Sequence, residues 1–159
     1  METWKQLDEH SIRLDINARN KAKIFSVLVD ALIESGQVDP ELPALEEVIR
    51  REEVLSTAVG NGVALPHARL DNFKGFALAF GRPVKPVDMG AVDGRPADLF
   101  FILIADRHDP SRIVRILGRL ARLCDDGEVR QGLRGAKTPA EVIDLVRAYE
   151  TKPAAARIS

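Results

Sequence analysis

The spacing of apolar residues between Lys21 and Glu34 predicts an amphipathic helix. Five of them fall on one helical face: Ile24, Val27, Leu28, Ala31 and Leu32. Gly36 follows at the position where glycine commonly ends a helix. Pro43 suits the first turn of a second helix, whose inward residues would be Leu45, Val48 and Ile49.

The hydrophobic period changes after this second helix. Val63–Leu65 is a short apolar run that predicts a strand ending at Pro66 and His67. Phe76–Phe80 and Leu99–Ala105 also predict buried strands. The last of these is continuously apolar, which is typical of a central strand covered on both faces.

Two further helices are expected in the C-terminal third. Asp109, Pro110 and Ser111 begin the first, and its inward residues would be Ile113, Ile116, Leu117, Leu120 and Leu123. Thr138 and Glu141 form a capping box for the second, with an apolar stripe of Val142, Ile143, Leu145 and Val146.

These elements predict a single α/β (α+β) domain over residues 1–150, in which helices sandwich a mixed β-sheet. Residues 151–159 have no core pattern and are expected to fray as a C-terminal tail.

Composition narrows the class of protein. The 159-residue chain has 45% apolar and 30% charged residues, the balance of a globular domain. No apolar run approaches the about 20 residues of a membrane-spanning helix, and no secretory signal is recognisable. The lone Cys124 cannot form an intramolecular disulfide, so a cytoplasmic location is expected. A formal charge of −1 favours neither nucleic-acid binding nor direct membrane insertion.

The segment from Arg51 to Arg69 contains the strongest candidate chemistry. His67 would lie at the end of a strand in the sheet, and the guanidinium group of Arg51 could add several N–H donors. Hydroxyl groups and glycine-rich backbone that could bind an anion precede it: Ser56, Thr57, Gly60, Asn61 and Gly62. A nucleophilic nitrogen beside anion donors is what a phosphohistidine requires. On spacing alone, a hydrogen-bonded structural histidine is the alternative interpretation.

This segment resembles the hallmark of the type 2 IIA domains of the phosphotransferase system, the fructose, mannitol and nitrogen-regulatory class. The matching positions are Arg51-Glu52, Ser56-Thr57, Gly60, Gly62 and Pro66-His67. The similarity continues through the Asp93-Gly94 turn, the apolar run LFFILIA and the last helices, from about Leu14 to Tyr149.

The resemblance implies a phosphoryl carrier rather than a stand-alone enzyme. His67 would accept a phosphoryl group from the phosphohistidine of an HPr-like phosphocarrier protein, and Arg51 would pair with the phosphoryl oxygens. The group would pass to a IIB domain in sugar transport, or its presence would control a regulatory target protein. No cofactor and no metal are implied. Without a fused IIB or IIC segment, the nitrogen-regulatory-like subgroup is expected.

Two positions depart from the family pattern. Ala58 replaces the first glycine of the loop, which is acceptable if its φ is negative. The family usually has a second active-site histidine before the helix that follows LFFILIA, and that position falls on Ile113. His108, five residues earlier, is a candidate second histidine, and an exposed loop histidine is the alternative. This departure motivates an alternative function, a non-catalytic regulatory binding protein that kept the IIA fold.

Several residues keep simpler interpretations. His10 is expected at the surface and Cys124 in the core. A metal-dependent hydrolase would need a second ligand at a usable spacing from His67, and the sequence offers none. Four arginines recur along one face of a predicted helix: Arg112, Arg115, Arg119 and Arg122. A solvated face and a docking surface for an acidic partner are both open.

Overall fold

The computed structural model describes residues 2–157, apart from the side chain of Ala154. Over this range the helices are α1 (Lys21–Glu34), α2 (Ala44–Val54), α3 (Pro110–Asp125), α4 (Gly127–Gly135) and α5 (Pro139–Thr151). The strands are β1 (Ile12–Ile16), β2 (Ala58–Gly60), β3 (Val63–Ala64), β4 (His67–Leu70), β5 (Phe76–Pro83) and β6 (Leu99–Asp106). Short 3-10 helices span Thr3–Gln6 and Ala154–Arg157. No helix in the described range is long and apolar enough to cross a membrane.

The strands form one mixed sheet in the order β1-β5-β6-β3-β2, with β4 also pairing with β6. The β5–β6 and β2–β3 pairs are antiparallel, whereas β1 runs parallel to β5 and both β3 and β4 run parallel to β6. Every residue of β6 is buried. The prediction of a central strand in a mixed sheet is therefore confirmed.

Helices cover both faces of the sheet because the side chains of β6 alternate between two cores. Phe100, Ile102 and Ile104 pack into the core beneath α1 and α2. Phe101, Leu103 and Ala105 pack into the core beneath α3, α4 and α5. Each large apolar side chain buried in this way contributes roughly 1.5–3 kcal/mol, so the alternation fixes which face each helix covers.

Local sequence signals set the helix ends as predicted. Helix α1 has the predicted bounds, and Gly36 follows its last turn with a φ of 77°, a left-handed conformation that suits glycine. Helix α2 begins directly after Pro43. At the start of α5 the Thr138 hydroxyl accepts the Glu141 N–H at 3.2 Å.

Four elements were not predicted from the sequence, strands β1, β2 and β4 and helix α4, and neither was the 3-10 helix Thr3–Gln6. The tail also differs from a plain coil. Strand β1 has apolar Ile12, Leu14 and Ile16 at alternate positions, and this alternation is a detectable strand signal in the sequence. Helix α4 contains three glycines, which weaken helix propensity and hid it. After α5 the chain turns once more in the 3-10 helix Ala154–Arg157.

Candidate active site

His67 begins a strand instead of ending one, which corrects the predicted boundary. Strand β3 ends at Ala64, and Leu65 and Pro66 separate it from β4. Proline has no N–H to donate to a neighbouring strand, so the strand is interrupted at Pro66. The Pro66 carbonyl still accepts the Leu103 N–H at 3.0 Å, which keeps both short strands along β6.

The register of β4 sets the direction of the His67 side chain. His67 lies opposite Leu103, and Arg69 lies opposite Ala105, in a parallel pairing. Paired residues in a sheet point to the same face, and Leu103 and Ala105 belong to the core beneath α3. His67 and Arg69 therefore both face the α3 side of the sheet edge.

His67 opens into a cavity of about 410 Å³ between α2, β4 and the start of α3. Four arginines line it: Arg50, Arg51, Arg69 and Arg107. Its apolar wall is formed by Val54, Ile113, Val114 and Leu117. Glu47 is the one carboxylate among the described lining residues, so the cavity carries an excess of positive charge.

A single hydrogen bond determines which nitrogen of His67 is available for chemistry. Nδ1 lies 2.9 Å from the Leu65 carbonyl oxygen, which can only accept. Nδ1 must therefore carry the proton, and in the neutral ring the Nε2 lone pair is free. Among residues 2–157, no group forms a hydrogen bond with Nε2. The ring is thus held so that Nε2 is the nitrogen available to act as a nucleophile.

The cavity also keeps this ring neutral. Burial lowers the pKa of His67 below its ordinary value of 6.5, and the positive charges of Arg51 and Arg69 lower that pKa further. The Leu65 carbonyl and the Glu52 carboxylate oppose the shift, but burial is the largest cause. A neutral imidazole at physiological pH is the form that can attack an electrophile.

The lowered pKa gives a testable pH dependence. Acceptor activity should persist as the pH falls through 6.5 and be lost only near the lower pKa of the folded protein. The free energy of unfolding should also decrease as the pH falls. Below pH 6.5 the His67 ring of the unfolded chain binds a proton that the folded chain does not, so the contribution of His67 to stability is lost progressively as the pH falls towards the pKa of the folded protein. An NMR titration of the His67 ring should have its midpoint below 6.5, and a midpoint above 6.5 would contradict this account.

The arginines around His67 are held to different degrees. Arg51 donates from Nη1 to the Leu55 carbonyl at 2.9 Å, which leaves its other N–H groups for a ligand. Arg50 lies 3.0 Å from Glu47. Arg107 lies 3.3 Å from Asp71 and 3.7 Å from Glu47. Arg51 and Arg69 form no ion pair with a carboxylate of residues 2–157 and are the cations most available to an anion.

Gly60, Asn61 and Gly62, expected to cradle phosphate, do not line the His67 cavity. All three have positive φ, of 92°, 57° and 79°, and they make the tight turn between β2 and β3. The Asn61 N–H donates to the Asp93 carboxylate at 2.9 Å. Backbone N–H groups of Arg95 and Asn61 hold the pKa of Asp93 below its ordinary value. The anion that this loop binds is thus a side chain of the protein itself.

Ser56 and Thr57 are also not brought to His67, because their hydroxyls are engaged elsewhere. The Ser56 hydroxyl donates to the Met89 carbonyl at 2.6 Å. The Thr57 hydroxyl donates to the buried Glu52 carboxylate at 2.6 Å, and that carboxylate also accepts the Thr57 N–H. These bonds fix the turn after α2, and so they hold Arg51 in position indirectly. Ala58 has a negative φ, so the Cβ in place of the family glycine is tolerated.

Ile113, predicted to stand at the position of the second histidine, belongs to the aliphatic wall of the cavity. Ile113 is 5% exposed and lines the cavity with His67. The His108 side chain is 71% exposed, lies 3.6 Å from Asp71 and does not line the cavity. The structure therefore brings Arg51 and Ile113 to His67 but leaves His108 outside.

Sequence reasoning missed Arg69 and Arg107. Arg69 follows His67 by two residues, so a predicted strand through His67 would have placed both side chains on one face. Arg107 directly follows β6, where the end of a central strand often carries site residues. Cys124 is buried as expected, and burial raises the pKa of its thiol to about 12. That thiol is no rival nucleophile.

Comparison with known proteins identifies the family of the chain. The family model described as phosphoenolpyruvate-dependent sugar phosphotransferase system, EIIA 2, matches residues 5–149. A nitrogen regulatory protein of Bradyrhizobium diazoefficiens is 35% identical over 133 residues, 84% of this chain and 85% of that protein. A fructose-specific EIIABC component of Bacillus subtilis is 30% identical over 150 residues, 94% of this chain. The chain spans only 24% of that protein's length.

Solved structures agree with this assignment. The nitrogen regulatory protein IIA-Ntr from Neisseria meningitidis superposes with a TM-score of 0.79 and 26% identity, covering 90% of this chain and 97% of that one. The fold and the residue match thus point the same way. The chain belongs to the EIIA type 2 family of the phosphoenolpyruvate-dependent sugar phosphotransferase system.

Proposed function

We propose that the protein is a phosphoryl carrier in which Nε2 of His67 accepts a phosphoryl group from the phosphohistidine of an HPr-type protein. The observation that carries this proposal is a neutral histidine with a free Nε2 in an arginine-lined cavity. Membership in the EIIA family supports the same chemistry.

The transfer is an in-line displacement at phosphorus. The Nε2 lone pair of His67 forms the new N–P bond while the N–P bond of the donor breaks, and the donor ring leaves with that electron pair. Positive charge develops on the attacking ring as the bond forms. The Leu65 carbonyl, already accepting from Nδ1–H at 2.9 Å, stabilises that charge without moving.

Arginines supply the positive charge that the family takes in part from a second histidine. Arg51 and Arg69 lack carboxylate partners among residues 2–157 and face the cavity. They are proposed to hold the phosphoryl oxygens. Arg107, which also lines the cavity, can join them only by giving up its pairing with Asp71 at 3.3 Å and Glu47 at 3.7 Å. Each hydrogen bond to a charged group contributes roughly 1.5–3 kcal/mol, enough to replace one lost histidine contact.

The onward step is proposed to follow the nitrogen-regulatory pattern, in which phosphorylation of His67 sets the affinity for a target protein. The similarity to a nitrogen regulatory protein motivates this choice. Transfer to a IIB domain is the sugar-transport route and is motivated by the similarity to an EIIABC component. The second candidate function is a regulatory binding protein without efficient phosphotransfer. Ile113 in the cavity wall favours it.

Incubation with phosphoenolpyruvate and the general phosphotransferase components, followed by intact-mass measurement, tests the proposal. We expect the mass of one phosphoryl group to be added. The adduct should be lost in acid and stable in base, as a phosphoramidate bond is. An unchanged mass with every component active would favour the binding-only function.

Ile113→His should lengthen the lifetime of the phosphorylated form or speed its formation. The new ring would enter the cavity wall and add a hydrogen bond to the phosphoryl group, roughly a tenfold gain. His108→Ala is the matched control and should change neither quantity, because that side chain is 71% exposed and outside the cavity. Decay of the adduct after removal of the donor gives the lifetime. Slower transfer by His108→Ala with no gain in Ile113→His would contradict the assignment of these two positions.

A further inference from the structure

A second concave surface lies beside the His67 cavity on the outer side of α3. We call it the α3 arginine face and define it by Arg115, Gly118, Arg119 and Arg122. These residues line a shallow groove of about 600 Å³. Gly118 has no side chain to fill the groove, so the three arginine side chains form its walls.

The charges of this face are largely uncompensated. Arg115 and Arg122 are exposed and form no ion pair with a carboxylate of residues 2–157. Arg119 lies 3.1 Å from Glu150, the one carboxylate that reaches the group. Like charges three or four residues apart destabilise a helix. Because this arrangement of arginines does not stabilise α3, binding to another molecule explains it better than folding does.

The α3 arginine face is continuous with the His67 cavity through one apolar residue. Val114 lines both concavities and is 68% exposed. Val54, across the cavity on α2, is 78% exposed. The result is an apolar centre beside His67 with arginines on both sides. Apolar centres rimmed by charge, with arginine enriched, are typical of protein–protein interfaces.

We propose that the α3 arginine face docks a carboxylate-rich surface next to the phosphohistidine of the donor protein. This inference rests on the proposed function, and it specifies in addition that the docking surface of the donor protein is negatively charged. The donor's acidic groups would face Arg115 and Arg122, and its apolar residues would cover Val54 and Val114. A protein fits better than a nucleic acid, because exposed valines lie at the centre of the surface and the whole chain has a net charge of −1.

Two phosphoryl donors separate docking from chemistry. Phosphoramidate is too small to use the α3 arginine face and reports on His67 alone, whereas a phosphorylated HPr-type carrier that modifies the wild-type chain must dock. The test variant is Arg115→Glu/Arg122→Glu. The matched control is Arg19→Glu/Arg95→Glu, the same charge change at exposed arginines remote from the cavity.

We expect kcat/KM with the protein donor to fall by roughly tenfold or more in the test variant at low salt, and far less in the control. High salt should remove most of this difference, since the screening length shrinks to about 3 Å at 1 M. Rates with phosphoramidate should be equal in all three proteins. Changing donor carboxylates to lysine should restore transfer to the test variant.

The possible negative results overturn different claims. A wild-type chain that accepts phosphate from neither donor would overturn the proposed function itself. Transfer to the wild type with equal or faster transfer to the test variant would overturn the docking inference alone. Salt-sensitive binding of duplex DNA by the wild type, lost in the test variant while carrier transfer is unchanged, would assign the face to nucleic acid and likewise overturn it.

Discussion

Replacing His67 by alanine should abolish phosphorylation of the protein completely while leaving its fold intact. The proposed mechanism has one nucleophile, the free Nε2 of the ring held by the Leu65 carbonyl at 2.9 Å. Neither His10 nor His108 lines the cavity, so neither can take its place. Intact-mass measurement after exposure to a phosphoryl donor should find only the unmodified mass, and circular dichroism should match that of the wild type.

His10→Ala is the matched control for this loss. His10 is exposed, and its Nε2 lies 3.4 Å from Glu9, in the N-terminal segment. The control should be phosphorylated at the wild-type rate. Full incorporation into His67→Ala would remove the acceptor assignment and with it the proposed mechanism.

Replacing Arg51 by alanine should slow phosphorylation by roughly 10- to 100-fold, the effect of losing one or two hydrogen bonds to a charged group. Arg51→Lys should lie between this variant and the wild type, because lysine keeps the charge but loses the planar fork that matches two phosphoryl oxygens. Rapid-quench measurement of phosphoryl incorporation from one donor gives the three rates.

Arg50→Ala separates the specific role of Arg51 from the general positive charge. The two arginines are adjacent on α2 and both line the cavity, but Arg50 is paired with Glu47 at 3.0 Å. Its loss should slow the reaction much less than the loss of Arg51. Equal rates for Arg51→Ala, Arg51→Lys and wild type would show that Arg51 does not touch the phosphoryl group.

The fold was largely predictable because its main elements carry strong local signals. The period of α1, the capping box of α5 and the continuous apolar run of β6 each specify one structure. Helix α4 was missed because its three glycines lower its helix propensity, and one of them is needed for packing: a Cβ on Gly132 would lie 2.8 Å from the Leu145 side chain. That requirement comes from a residue of another helix and is invisible in a local window.

The site was predictable only in part, for a physical reason that Gly60 and Gly62 illustrate. Glycine permits positive φ and close approach, and both a tight turn and a phosphate cradle need these properties. Here a Cβ on Gly62 would lie 2.6 Å from the Arg134 guanidinium. Partners from distant segments, Asp93 and Arg134, decide between the two uses. His67 and Arg51 needed no such knowledge, because the family motif names them directly.

Ile113 illustrates how a departure from the motif can be compensated elsewhere. The residue, predicted to stand at the position of the family's second histidine, lies in the cavity wall, and arginines from β4 and from the end of β6 line the same cavity. Arginine keeps its charge at every physiological pH. Stabilisation of the phosphoryl group by this protein should therefore depend less on pH than stabilisation by a second histidine would.

The most direct test of the account is phosphorus and nitrogen NMR on the phosphorylated protein with isotope-labelled histidines. The account predicts one phosphorylated histidine, His67, with phosphorus coupled to Nε2 and the proton retained on Nδ1 by the Leu65 carbonyl. A phosphoryl group on Nδ1 of His67, or on any other residue, would contradict it.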